Sequence, residues 1–317
     1  MIDKAVMNPD TIEVEEEETI PQGAVDTGQG SDDGSYRSSH YLLFGGDESF
    51  VGEGSLNPDA ARAYLGERGF NDGQLSQTRR KGRVASLYEG YHAKGERVCD
   101  FCGRALTGVE FERLRDGRDR CMLCSRTVVR DAKSIRSLYM QTREGVCERY
   151  DITIDVDIEV RVVSAKKLSK ATGQTFTPTP GFDARAVGLA VRHRGGYRVL
   201  LENGTPRLSL IATTAHELTH IWQYTHWDAA AISARYGKLE LAVYEGMAKW
   251  CELQYLYLLN ETTQADRSFA NEVRRDDVYG FGLRCFLKQY PLSRGISLEG
   301  ETPFMHPELP LDPAMMG

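Results

Sequence analysis

Hydrophobic and polar residues alternate without a break through DITIDVDIEVRVV, where Ile152, Ile154, Val156, Ile158, Val160 and Val162 are separated by polar positions. A period of two places all six on one face, so the stretch predicts one strand with a buried side. Two more strand-like runs follow, AVGLAVRH and YRVLLE, on either side of Arg194-Gly195-Gly196. That spacing predicts a tight hairpin. The period then changes. Ile211, Ala215, Leu218 and Trp222 recur at helical intervals, after Thr205 as an N-cap and Pro206 as a first helical residue. A second long helix is expected over YGKLELAVYEGMAKWCELQYLYLL, with Leu239, Ala242, Val243, Gly246, Trp250 and Leu253 as its apolar stripe. DAKSIRSLYMQTREGVCERY reads as a helix ahead of the alternating strand. Asn57-Pro58 opens a shorter helix into AARAYL.

The first third of the chain fits this pattern poorly. Residues 1–60 hold fourteen acids, four of them in the run Glu15–Glu18, against Lys4 and Arg37, a net of −12. The total is −7, so the remainder carries +5. An acidic, Gly/Ser-rich start predicts a tail outside the core over residues 1–55. A helical and basic linker follows over 56–95, including Arg79, Arg80, Lys81 and Arg83. No apolar run is long enough to span a bilayer, and no secretory signal opens the chain, so the expected compartment is the cytoplasm and no membrane partner is expected.

In that compartment seven cysteines point to metal rather than disulfides. Cys99 and Cys102 form one CxxC turn, Cys121 and Cys124 another, eighteen residues apart. Each turn aims two thiolates at one point. Two such turns complete a closed tetrahedral shell, the mark of a structural zinc site. Gly103 and Gly117 fall where the turns need them.

A different metal pattern lies in ATTAHELTHIWQYTH. His216 and His220 are one helical turn apart, with Glu217 beside the first. This is HExxH: two imidazoles for zinc, and a carboxylate to take a proton from its water. A catalytic zinc needs a third protein ligand and an open position. His226 has the spacing of a third histidine, but Gln223 stands where a glycine would have to break the helix. On an unbroken helix His226 faces away from His220. Glu245, beside the stripe of the following helix, is favoured instead. Its alternative is an ordinary pair with Lys249, and Glu240 and Glu252 are weaker substitutes as ligands.

The ordered set CDFCGRAL, CMLCSRT, GTPRLSLIATTAHELTHIW, VYEGMAKW and YGFGLR resembles the plant "DA-one" growth-regulating peptidases and their shorter bacterial relatives, over residues 96–290. The resemblance implies a gluzincin-type zinc peptidase with His216, His220 and Glu245 as ligands and Glu217 as base. It also implies that Tyr279 is a hydrogen-bond donor to the oxyanion; the alternative is a core tyrosine before a Gly-rich bend. The plant proteins' full LIM domain and ubiquitin-interacting helices have no counterpart in the sequence, so ubiquitin dependence is not carried over.

The expected fold is α+β: a zincin-like metallopeptidase domain over 128–295, with a small antiparallel or mixed sheet, an HExxH helix and a glutamate helix. A four-cysteine zinc-ribbon or LIM-like module over 96–127 precedes it, and a tail over 296–317 follows. Two zinc ions per chain are expected, one catalytic and one structural. The expected activity is zinc-dependent hydrolysis of peptide bonds. Residues Tyr197–Glu202 are expected to align an extended protein or peptide substrate by edge pairing. The four-cysteine module would brace the domain or present a protein partner. The rival reading is a non-catalytic zinc module that binds protein or nucleic acid. Residues 96–135 carry only +2 net, too weak a footprint for nucleic acid.

Overall fold

A computed structural model describes residues 97–172, 187–193, 196–275 and 277–316, and the backbone of 12–14. The helix expected from Asn57, the basic run at Arg79–Arg83 and most of the acidic start lie outside the described residues.

The architecture is α+β. One four-stranded sheet has the order β1-β4-β6-β5: β1 (Ile12–Val14), β4 (Ile158–Val163), β6 (Gly196–Glu202) and β5 (Gly188–His193). β1 and β6 both run parallel to β4, while β5 and β6 form the expected antiparallel hairpin, His193 opposite Gly196. Ile12–Val14 therefore belongs to the sheet, pairing with Val160–Val162, and the acidic start is not wholly a tail.

The alternating stretch forms a strand only from Ile158. Before it, helix α2 (Ala132–Tyr150) ends on Asp151 in the left-handed conformation, and the Ile152 N–H bonds back to Cys147 O. Arg143 donates to Ile154 O at 2.8 Å. These contacts tie residues 152–154 to the helix rather than to a neighbouring strand. The alternation of burial survives, with Ile154 and Ile158 buried and Thr153, Asp155 and Asp157 exposed.

The four-cysteine unit holds β2 (Phe111–Arg113) paired with β3 (Asp119–Cys121), then the short α1 (Met122–Arg126). β4 is followed by α3 (Ala165–Thr172). Beyond the hairpin come α4 (Arg207–His226), α5 (Ala229–Tyr236), α6 (Glu240–Leu258), α7 (Thr262–Glu272) and α8 (Val278–Gln289).

α4 carries HELTH and sits between the sheet, α2 and α6. Every residue from Leu210 to Tyr224 is buried, so the sequence stripe understates its environment: this is a central helix, apolar contacts on all sides. Pro206 is the residue at its cap, not its first turn. Thr205 caps nothing; its hydroxyl donates to Glu202 O at 2.8 Å. The expected second long helix forms as α6, starting at Glu240 after a 3-10 turn at Gly237–Leu239; α5, capped by Asp228 and ending at Tyr236, is a separate helix ahead of it.

α6 and α8 touch backbone to backbone. A Cβ on Gly282 would lie 1.9 Å from Ala242 O, so only glycine fits. The Gly-rich YGFG is thus the first turn of a packed helix, not a bend. Residues 296–317 are no loose tail where described. Phe304 packs against Tyr150 and Trp222, Leu311 is fully buried, and the Tyr236 hydroxyl donates to Leu311 O. No helix among the described residues is long and apolar enough to cross a membrane.

Candidate metal centres

A helix buried on all sides must find partners for every polar side chain it carries. On α4, Thr214 and Thr219 bond back to the carbonyls of Leu210 and Ala215. Gln223 donates to Tyr244 O at 2.9 Å, and its Oε1 lies 2.8 Å from His220 Nδ1. His216 and the other nitrogen of His220 face Glu245 from α6, while Glu217 turns to β5.

His216 Nε2, His220 Nε2 and Glu245 Oε2 form a small triangle. The two nitrogens are 3.1 Å apart, and the oxygen is 3.2 Å and 3.4 Å from them. A tetrahedral metal with ligands at 2.0–2.1 Å sets them about 3.3–3.4 Å apart. Glu245 Oε2 is fully buried and accepts no hydrogen bond. A cation at the centre of the triangle would satisfy this buried carboxylate oxygen, which faces two imidazole nitrogens and has no donor of its own. Burial alone would push the His216 pKa down, yet Glu245, Glu252 and Glu217 together hold it up at about 9. Burial would raise the Glu245 carboxyl, but His220 and His216 hold it far below the usual range. The site draws a positive charge to its middle.

Both imidazoles are oriented from behind. Gln223 Oε1 at His220 Nδ1 requires the proton there and leaves Nε2 free to ligate. Glu252 Oε2 lies 3.3 Å from His216 Nδ1, close enough for an ion pair but outside hydrogen-bond alignment. Glu252 also pairs with Lys249 at 2.9 Å, and Lys249 reaches Glu272 at 3.4 Å. So Lys249, expected as a possible partner for Glu245, belongs to a different chain of charges. Sequence reading treated Glu252 only as a substitute ligand and Gln223 only as a missing glycine. Their one signal was position: Gln223 is three residues after His220, and Glu252 two turns after Glu245.

Glu217 is buried between α4 and β5. Gly188 makes room for it: a Cβ there would come within 2.8 Å of Glu217 Oε1 and 2.4 Å of Thr213. Burial raises the Glu217 pKa more than His216, His220 and the Ala190 N–H lower it, the condition of a carboxylate that accepts a proton readily. β6 has neighbours on both sides, so among the described residues the edges are β1 and β5, and the edge beside α4 is β5, not Tyr197–Glu202 as the sequence suggested. Gly188 packs on Thr213 and Glu217, and Arg192 donates to Tyr224 O at 3.4 Å, so β5 runs alongside the face of α4 that bears the histidines.

His226 lies outside this group. α4 continues through Gln223, and the exposed His226 ring stacks on Trp222 at 4.6 Å. Glu240 starts α6 and is also outside. Tyr279 is on the first turn of α8, with the Arg275 guanidinium 4.6 Å from its ring centre; Arg275 pairs with Glu272 and Asp277.

The second candidate centre is Cys99, Cys102, Cys121 and Cys124, all buried, with ligand atoms within 4.8 Å of one another. Cys102 Sγ and Cys121 Sγ are 3.7 Å apart, against about 3.8 Å for two thiolates on tetrahedral zinc. Gly103 and Gly117 both have positive φ, at the turns the cysteine spacing required.

Comparison with protein-family models, curated proteins and solved structures finds no match. The meaning of the two centres therefore rests on their own geometry.

Proposed function

We propose that the chain is a zinc-dependent metallopeptidase with a zincin-like catalytic domain, its metal held by His216, His220 and Glu245. The observation that carries the reading is the triangle of ligand atoms 3.1–3.4 Å apart around an undonated Glu245 oxygen, with a second buried carboxylate, Glu217, one residue from a ligand. Three protein ligands leave a position open for water, as catalytic sites do and structural sites do not.

Zinc bound there supplies a charge that lowers the pKa of a coordinated water towards about 7. Glu217 takes a proton from the attacking water and passes it to the leaving amine. Gln223 holds the His220 imidazole in place, and Glu252 lies behind His216 as its ion-pair partner. The edge of β5, which passes Glu217, aligns an extended peptide by strand pairing. The four-cysteine centre is a closed structural site. The reading agrees with the resemblance to the "DA-one" peptidases.

Nucleic-acid binding by the cysteine module is the weaker reading. Arg113, Arg118 and Arg120 are turned to Asp119, to Asp116 and Glu202, and to Glu112, so these three are not offered to phosphates.

Replacing Glu217 by Gln keeps the metal and lowers peptide hydrolysis by about 10²–10⁴-fold. Metal content and turnover of the purified full chain are the measurements. An undiminished rate would rule out the assignment.

A further inference from the structure

The four-cysteine module and the catalytic helices share a cleft of about 120 Å³. On one side are Phe101 and Gly103 of the module. On the other are Ser209 and Thr213 of α4, and Gln264 and Ser268 of α7. The cleft adjoins the candidate active site in two ways. Val187, immediately before β5, lines it, and so does Thr213, which packs on Gly188 beside Glu217. Glu252, 3.3 Å from His216 Nδ1, lines it too. A peptide lying along β5 past Glu217 would run towards Val187, at the rim of this cleft.

The wall decides what side chain the cleft takes. Three cationic side chains, Arg118, Lys249 and Arg275, and three carboxylates, Asp100, Glu252 and Glu272, line it. Each already has a protein partner: Lys249 pairs with Glu252 and Glu272, Arg275 with Glu272 and Asp277, Arg118 with Asp116 and Glu202, and Asp100 accepts from the Asp119 N–H, so neither sign is drawn in. The rest of the lining divides evenly between hydroxyl or amide side chains (Ser209, Thr213, Gln264, Ser268 and Asn271) and Phe101, Cys102, Gly103, Val187 and Ala212, so with the six charged residues the wall is polar for the most part. An apolar side chain would strip water from these groups and return no hydrogen bonds. An amide or hydroxyl would replace the water.

We infer that the four-cysteine module is part of the substrate-binding surface, forming with α4, α6 and α7 a subsite for one uncharged, hydrogen-bonding side chain of a peptide. The inference rests on the peptidase reading for its substrate class. It gives the module a second task beyond bracing, because Phe101 sits next to the Cys102 ligand and is held by Ser209 donating to its carbonyl at 2.9 Å. The module's metal thereby fixes one wall of the subsite.

The test uses the zinc-loaded full chain and two dipeptide hydroxamates that differ only in one side chain, asparagine or leucine. Binding is read by calorimetry. The asparagine probe should bind the natural chain at least tenfold more tightly. Ser268→Leu should remove or reverse that preference. Phe101→Leu should weaken the asparagine probe at least threefold, with zinc per chain unchanged in both variants. Equal binding of the two probes, no binding of either, or a preference that neither variant moves would overturn the inference. A clear preference in a chain that cuts no peptide would support the subsite and sink the peptidase reading instead.

Discussion

Gln223 shows how one side chain settles two questions. As a helix former in place of glycine it lets α4 run on to His226, which carries that histidine past the site. As a buried amide it spans His220 Nδ1 and Tyr244 O, tying the HExxH helix to the residue next to Glu245. Gln223→Leu removes both bonds while keeping the volume. Metal affinity should fall about 10–100-fold, measured by competition with a chelator. The ligand set itself predicts a different pattern. Glu245→Ala should lose one metal ion per chain, and His226→Ala should lose none, read by elemental analysis. Loss in His226→Ala would mean that the helix opens after His220.

At the scale of elements, the site depends on close approaches that only missing side chains permit. β5 reaches Glu217 because Gly188 has no Cβ. α6 presents Glu245 to α4 while its next residue, Gly246, rests on Gly282 of α8. Gly282→Ala places a methyl 1.9 Å from Ala242 O, and the two helices must separate. The expected cost is about 1–3 kcal/mol, seen as a Tm lower by several degrees. The alternating run before β4 shows the opposite limit of pattern reading. Its period was that of a strand, but the hydrogen bonds of residues 152–154 go to α2, and backbone partners decide what is a strand.

Across the whole molecule, the cysteine module is docked rather than appended. Arg118, 3% exposed, bridges Asp116 of the module and Glu202 at the end of β6. Arg120 donates to Gly204 O at 3.0 Å, and the chain leaving the module pairs with residues 204–207 as they enter α4. The start of the HExxH helix is thus held by the segment that follows Cys124. Arg118→Met would leave two carboxylates buried without their cation. It should destabilise the chain by about 3–5 kcal/mol in denaturant unfolding, with the metal content of the cysteine centre intact.

The sequence alone determined the local chemistry: which residues have metal-binding side chains, which pairs share a turn or a helix face, and that the helix through HELTH would not break at Gln223. These follow from spacing within one element, where geometry is nearly invariant. Glu245 was also legible, because a carboxylate beside a long apolar stripe is costly without a partner. Only the tertiary structure decided which strands form the sheet edges, that Glu252 and Gln223 back the imidazoles, that Ile12–Val14 joins the sheet, and that the cysteine module walls a cleft reaching Thr213 and Glu252. Each of these is a contact between elements far apart in the chain. No local period encodes such a contact; it exists only once the core has fixed where the elements lie.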